Sequence, residues 1–429
     1  MAAVDVPVAL LGYGNVGAAV NRLLEENGDD IERATAHRLR VVRALVRDPA
    51  RERSYPVARD VLTADFEEIV GDPAIALVAE VMGGTEPAAD YVLRLLRAGK
   101  PVVSANKQLI ARRGAELFSV ASGVGVQLRF EASVCAAIPV IKVLREALVV
   151  NNVHSVLGIV NGTTNFLLTQ MEAGARYEDA LAQAQRLGYA EADPHDDVSG
   201  ADAAAKMAIL ATVAFGSRVG LPDVFCEGIE AIRPEHVRAA DEFDMVVRLI
   251  GSATLVDGAV DVRVQPALVD RHHPLAAIEG ALNAVMLKGE AIREITLEGP
   301  GAGGLETASA VVADMVSVVG TTGTGFLQND ACWRTLPHLP PAAFRSPFYV
   351  HVEVEDRPGV LAHLAELFAA EAVSIARLTQ RQLSDGASLD IVTHDAPWGS
   401  VEAALGAIAR LDDVRGRPTA FRVIPDEGP

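Results

Sequence analysis

The chain has 429 residues, half of them hydrophobic and 22% charged. This is a globular composition, too long for one ordinary core, so two or three domains are expected. The formal net charge of −19 argues against a nucleic acid as main partner, because phosphate backbones are bound by lysine and arginine in excess.

Cys135, Cys226 and Cys332 are far apart, odd in number and without metal spacing, which fits a reducing compartment. Met1–Pro7 has no basic stretch, and no apolar run approaches the roughly 20 residues of a membrane span. A cytoplasmic chain with no membrane partner is expected. The ten histidines form no helix-spaced pair, so zinc is not expected.

Strand and helix signals alternate through the first third. Val6–Leu11 is an apolar run ending in glycines. Asn15–Leu24 then carries Val16, Ala19, Val20 and Leu23 at helical spacing. Leu39–Val46, Ile75–Met82, Pro101–Ser104 and Val126–Phe130 read as further strands. This order predicts a parallel sheet covered on both faces, a Rossmann-type domain over residues 1–140.

The middle third reads as α+β. Val149–Val160, Val260–Leu268, Ala284–Lys288 and Ile292–Leu297 are predicted strands; Tyr177–Leu187 and Gly200–Phe215 are predicted helices. Residues 141–320 are assigned to this second domain, with its last helix returning to the first. Residues 321–347 are read as a linker, since Pro337, Pro340, Pro341 and Pro347 suit neither helix nor central strand.

In residues 348–425, Val350, Val352 and Val354 alternate with polar residues as a half-buried strand does. Asp356–Gly359 is a turn. Val360–Ala370 is an amphipathic helix, and the remainder completes a βαββαβ pattern.

Chemistry concentrates in a few places. Gly12-Tyr13-Gly14-Asn15-Val16-Gly17 follows a strand and opens a helix, the context of a dinucleotide-binding fingerprint. Its glycines serve a tight turn, close approach of pyrophosphate and close helix–strand packing, and the helix N-terminus presents free amides to phosphate. The second strand ends at Arg47-Asp48, with Arg51 and Arg53 nearby. Arg47 there favours the 2′-phosphate of NADP, while Asp48 keeps NAD open.

Asp202 and Lys206 are four apart in an otherwise apolar helix, where charges are costly unless paired or used. Two readings compete. Asp202 is a capping-box carboxylate behind an N-cap Ser199, or the pair belongs to a reaction site. Gly188–Pro194, with Asp196 and Asp197 behind it, is a carboxylate-rich loop that suits either an ammonium ligand or plain solvation. Lys107 stands just past a strand, where parallel sheets bind ligands, or is structural.

Taken in order, several stretches resemble the homoserine dehydrogenase family: Val81–Pro87, Ala105–Lys107, Glu131–Val134 with Ile138-Pro139, Asn161–Asn165, Gly188–Pro194, Asp202–Lys206 and Gly299–Gly303. The tail resembles an ACT domain through Val354–Leu361. The resemblance implies reversible NAD(P)-dependent interconversion of L-homoserine and L-aspartate 4-semialdehyde, serving threonine, methionine and isoleucine biosynthesis. It implies Lys206 as proton-transfer residue and Lys107 as a second lysine near cofactor and substrate. Glu191, Asp202 and Asp197 become substrate contacts; Gly188 and Gly303 approach the nucleotide. A monovalent cation such as sodium is implied at backbone oxygens near Glu131, Val134, Ala136 and Ile138. A homodimer or homotetramer is implied, with an amino-acid effector such as threonine at the tail. Cys135-Ala136-Ala137 and Glu306 depart from the family pattern, which has smaller residues at the first and proline at the second. The alternatives are another ACT-tailed dehydrogenase, which would need a histidine base, or a ligand sensor without activity. No segment of kinase size precedes the first domain, so no aspartokinase fusion is expected.

Overall fold

A computed structural model describes residues 3–242, 244–256, 258–321, 341–343, 345–383 and 385–422. The chain divides into two compact units, residues 1–332 and 333–429. Most of the expected linker, and Cys332, lie outside the described residues. No helix of the described residues is long and apolar enough to cross a membrane.

The first sheet contains β1 (Val4–Leu11), β2 (His37–Leu45), β3 (Leu62–Thr63), β4 (Leu77–Glu80), β5 (Val102–Ser104) and β6 (Leu128–Arg129). Its order is β3-β2-β1-β4-β5-β6, with every pairing parallel. The inner strands are buried on both faces, which is why they read as unbroken apolar runs. Helix Asn15–Glu26 follows β1, and helix Lys107–Val124 follows β5. Helix Gly304–Thr321 shares a core with the first of these and with the sheet: Ala308, Val311 and Met315 pack in one cluster with Val8, Leu10 and Val20.

The second sheet contains β7 (Val153–Ile159), β8 (Val224–Cys226), β9 (Met245–Val256), β10 (Ala259–Asp270), β11 (Leu282–Gly289) and β12 (Arg293–Pro300). It runs β12-β11-β7-β9-β10-β8 and is antiparallel except where β8 joins β10. Helices Gly162–Glu172 and Ala201–Phe215 pack against it.

Two expectations change. Strand β7 starts at Val153, not Val149: Leu148 and Asn151 amides close a turn onto Val143 and Leu148 carbonyls, leaving Val149 and Val150 72% and 87% exposed. Strand β9 was not predicted, because Arg248 interrupts its apolar run. The two terminal nitrogens of that buried guanidinium donate to the Glu172 carboxylate at 2.7 Å and to the Val247 and Ala276 carbonyls, while its Nε has no partner among the described residues.

In the second unit, β13 (Arg345–Ser346), β14 (Phe348–Val354), β15 (Ile375–Leu383), β16 (Gly386–Thr393), β17 (Ala396–Pro397) and β18 (Val414–Arg422) surround helices Val360–Ala370 and Trp398–Ile408. Four of these strands form an antiparallel sheet, β15-β16-β14-β18, the βαββαβ arrangement with a small extra pair, β13-β17. Val350, Val352 and Val354 line its core with Leu364 and Phe368.

Backbone meets backbone closely at Gly17, where an added Cβ would lie 2.3 Å from the Gly12 carbonyl oxygen. Gly17→Ala must therefore push the helix off the glycine turn. Urea unfolding should show a loss of about 1–3 kcal/mol, as for other overpacked sites, together with weaker nucleotide binding. Unchanged stability and binding would mean that this packing is not needed.

Candidate active site

The carboxyl ends of the central parallel strands gather three loops. Gly12, with φ of 107°, turns the chain after β1. An added Cβ there would come within 3.0 Å of the Val81 carbonyl oxygen, so the loop after β4 lies directly against the glycine turn. Gly14 has open space where its Cβ would be, leaving its backbone accessible at the start of the helix carrying Asn15, Val16 and Gly17. Gly304 lies against Asn15, which brings the Gly299–Gly303 loop to the same place; Gly303 has φ of 140° and no room for a Cβ beside Glu306. Free helix amides, an accessible backbone and a tight turn are what a pyrophosphate requires.

Arg47 is exposed just beyond β2. The Asp48 carboxylate accepts the Ala50 amide at 2.8 Å, so it is turned into its own loop. Arg53 donates to the Tyr13 carbonyl at 3.5 Å and to the Asp48 carbonyl, which places a second guanidinium beside the glycine loop.

Next to this surface lies a compact charged cluster. Asp202 is buried, and its Oδ2 meets Lys206 Nζ at 2.8 Å; its other oxygen pairs with Lys107. Asn161 Nδ2 donates to Asp202 Oδ2 at 2.9 Å and to Asp197 Oδ1 at 2.7 Å. Lys206 Nζ also donates to the Val160 carbonyl at 2.7 Å. Among the described residues these are its two hydrogen-bond partners, and an ammonium has three N–H groups. Burial alone would lower the Lys206 pKa, but the Asp202 charge, together with Cys135, the Asp202 hydrogen bond and Asp197, outweighs it and holds the pKa above the ordinary lysine value. Burial likewise works against ionised Asp202, yet the two lysines keep its pKa well below the usual carboxylate range. Both groups are therefore charged at neutral pH.

The capping-box reading of Asp202 fails. Helix Ala201–Phe215 is preceded by Gly200 at φ of 82°, no side chain caps it, and the Ser199 hydroxyl is buried without a partner. The Asp202 carboxylate faces the lysines instead.

The family model "Homoserine dehydrogenase, NAD binding domain" matches residues 12–131, "Homoserine dehydrogenase" matches 139–316, and "ACT domain" matches 348–413. The homoserine dehydrogenase of Corynebacterium glutamicum is 42% identical over 91% of this chain and 89% of its own length. That of Synechocystis is 39% identical over 98% and 99%. The chain belongs to the homoserine dehydrogenase family. A crystal structure of a homoserine dehydrogenase from Thiobacillus denitrificans superimposes with a TM-score of 0.70 at 38% identity, covering 97% of this chain and 98% of that one. A hyperthermophilic archaeal homoserine dehydrogenase in complex with NADPH gives 0.63 at 28% identity, over 75% of this chain and 99% of that one. Nothing in these matches favours a different dehydrogenase or a sensor without activity. The chain is an NAD(P)-dependent oxidoreductase acting on a CH–OH group, interconverting homoserine and aspartate 4-semialdehyde.

Other expected residues of this dehydrogenase are spread around the cluster. Glu191 is exposed on the 188–194 loop, which is tied down where Thr163 Oγ1 donates to the Tyr189 carbonyl at 2.6 Å and Gln185 to the Glu191 carbonyl at 3.1 Å. Gly188 ends helix Tyr177–Leu187 at φ of 79°. Asp197 is largely buried, which raises its pKa, and faces Asn161. The Glu131 carboxylate accepts the Ile141 and Lys142 amides, each at 2.8 Å, and burial raises its pKa to about 7. After it, Cys135 and Ala136 take left-handed backbone angles, 53° and 33°. Among the described residues no group of three or more His, Cys, Asp or Glu side chains is arranged to hold a metal.

Two residues to which the sequence reading gave no site role complete the cluster. Asn161 joins the two aspartates and caps helix Gly162–Glu172 through the Thr164 amide at 2.8 Å. Its signal was the Asn-Gly-Thr-Thr run, a helix-start pattern. Cys135 is buried close enough to Lys206 for the two to interact electrostatically. Neither sequence spacing nor composition brings residues 135 and 206 together.

Asp202→Asn would leave the buried Lys206 ammonium without its counter-charge. Breaking one partner out of a buried pair costs about 3–5 kcal/mol. Because the folded-state pKa of Asp202 is depressed and that of Lys206 raised, this stabilisation is fully present at neutral pH; it is lost in strong acid as Asp202 is protonated and at alkaline pH as Lys206 loses its proton. Denaturant titrations at neutral pH should show the loss, with part of it recovered in Asp202→Asn/Lys206→Met. No loss in the single variant would contradict a charged pair.

Proposed function

We propose that Lys206 is the proton-transfer residue of this dehydrogenase and that its remaining N–H is the group that meets the substrate oxygen. The observation that supports this is the pair of fixed acceptors, Asp202 and the Val160 carbonyl, which aim the ammonium and leave one hydrogen unassigned. When bound, the reduced nicotinamide supplies hydride to the aldehyde carbon. Lys206 stabilises the oxygen as negative charge develops and gives it a proton. In the reverse direction the neutral amine must take the hydroxyl proton. Asp202 opposes that neutral form, so homoserine oxidation should favour alkaline pH.

Asp202 already has the two lysines and Asn161 on its oxygens, so its proposed contribution is to hold the cations; any contact with the substrate hydroxyl is made from that position. Lys107, half-exposed at the head of its helix, adds positive charge beside the cofactor and substrate. Glu191 and Asp197 are proposed to receive the substrate ammonium. The Gly12–Gly17 loop, Gly188 and Gly303 are proposed to approach the nucleotide.

NADP is the proposed preferred cofactor. Arg47 and Arg53 stand near the end of β2, and the Asp48 carboxylate that would bind a ribose hydroxyl is spent on its own turn. A sodium-like ion is proposed at the backbone oxygens of Glu131, Val134, Ala136 and Ile138. Hard cations take oxygen donors, and the left-handed residues fold this segment into a tight loop. Such an ion would steady the loop beside Lys206. The tail is proposed to bind an amino-acid effector such as threonine at the turn before helix Val360–Ala370. The exposed edge strand β15 suits pairing with a second copy, in a homodimer or homotetramer. Threonine, methionine and isoleucine biosynthesis is the proposed setting.

Lys206→Ala should lower turnover of aspartate 4-semialdehyde about 10²–10⁴-fold, while NADPH affinity, read by nucleotide fluorescence, changes little. Near-normal turnover removes Lys206 from this role. Arg47→Ala should raise the NADPH dissociation constant and leave NADH nearly unaffected; an equal response of both cofactors would count against the 2′-phosphate contact.

A further inference from the structure

A fully buried carboxylate with no part in the chemistry described above sits at the end of β4. Glu80 Oε2 accepts the Ser104 hydroxyl at 2.7 Å. Its Oε1 accepts the Met82 amide at 2.9 Å and Asn106 Nδ2 at 3.3 Å. Ser104 Oγ in turn accepts the Asn106 amide at 3.1 Å, and Asn106 Nδ2 also donates to the Gly84 carbonyl at 2.6 Å. Asn106 Oδ1 caps the next helix through the Leu109 amide at 3.1 Å, and the first residue of that helix is Lys107. Burial pushes the Glu80 pKa up; its oxygens accept from neutral donors and, among the described residues, no cation stands beside it, an expensive setting for a carboxylate. What it accomplishes is to join two loops: Met82–Gly84, which packs on the Gly12 turn, and Ser104–Lys107.

We propose that Glu80 is a positioning residue for the reaction: it acts through Ser104 and Asn106 to hold Lys107 against Asp202. This rests on the reading that Lys107, Asp202 and Lys206 work as one unit. The chemistry requires an acceptor-only side chain. A glutamine would keep one acceptor oxygen and turn an amide NH₂ toward groups that are already donors. The helix start would lose part of its anchor, and Lys107 would no longer be held at its carboxylate.

The test compares Glu80→Gln, Ser104→Ala, Lys107→Met and Glu80→Gln/Lys107→Met. Glu80→Gln should reduce turnover of aspartate 4-semialdehyde about tenfold or more, since small misplacements of reaction groups are costly. NADPH affinity by fluorescence should stay within about twofold, because the glycine loop is held by its own packing. Ser104→Ala should act in the same direction and more weakly, which keeps the test open if Glu80→Gln folds poorly.

The pH profile separates positioning from general damage. The groups facing Lys206 are Asp202 on its own helix, Lys107, Asp197 and Cys135. Releasing Lys107 leaves Asp202 to Lys206 alone and removes a neighbouring positive charge. Lys206 should then keep its proton to higher pH, and the alkaline onset of homoserine oxidation should move upward in both Glu80→Gln and Lys107→Met. In the double variant the two effects should not add. If Glu80→Gln costs as much in the Lys107→Met background as alone, the proposed route through Lys107 is overturned while the site reading stands. If Lys107→Met by itself leaves turnover and profile unchanged, the site reading fails, and the role of Glu80 fails with it.

Discussion

The organising interaction is one carboxylate shared by two ammonium groups inside an apolar wall. Asp202 and Lys206 lie one turn apart on a helix whose other buried residues are almost all alanine, leucine, isoleucine and methionine. Lys107 arrives from a different helix. Burial penalises each of the two groups on the apolar helix, and their mutual attraction together with the other charges around them, Lys107 among them, more than offsets it. The cluster is stable only with all its members in place, which makes the geometry stiff. Asn161 and the Val160 carbonyl extend it into the second sheet's loops, so both sheets of the first unit contribute to one small volume.

The parallel sheet explains why those groups can meet. Strands β1, β4 and β5 are neighbours and point the same way, so their ends deliver the glycine turn, the Met82–Gly84 loop and Asn106-Lys107 side by side. Contacts among these loops are made by backbone, by the Glu80 hub and by the apolar side chains of Tyr13, Val81 and Ala105. The 301–304 segment returns to the glycine turn from far along the chain. The helix that follows fills the cover of the first sheet, so the end of the catalytic half of the chain is part of the nucleotide half's core.

The tail follows a different logic. Its four-stranded sheet is covered by two helices and has its own core, built from alternating valines of β14 and the apolar stripes of both helices. Among the described residues no charged cluster like that of Asp202 is buried in that core. A unit with a self-contained core and a long exposed edge strand is suited to binding and pairing, and chemistry is left to the larger unit.

Much of this was legible in the residues. The apolar runs and the glycine fingerprint announced a parallel nucleotide-type sheet, and period-two valines announced the tail's first strand. Local patterns suffice there because each depends on neighbours in sequence. Asp202 and Lys206 stood out as charges in an apolar helix, but spacing alone left a cap and a reaction site equally open; Gly200 at the helix start, and lysine 107 across the cleft, decided between them. Strand β9 was hidden by Arg248, whose charge is acceptable only because Glu172 and two carbonyls, remote in sequence, surround it. Glu80 was not singled out within its predicted strand, because its purpose depends on Ser104, Asn106 and Met82. By itself the sequence determined which segments form elements and which residues are too costly to bury without a partner. Only the tertiary structure decided the partners, because the energy of a buried charge is set by the distant donors and acceptors that folding brings to it.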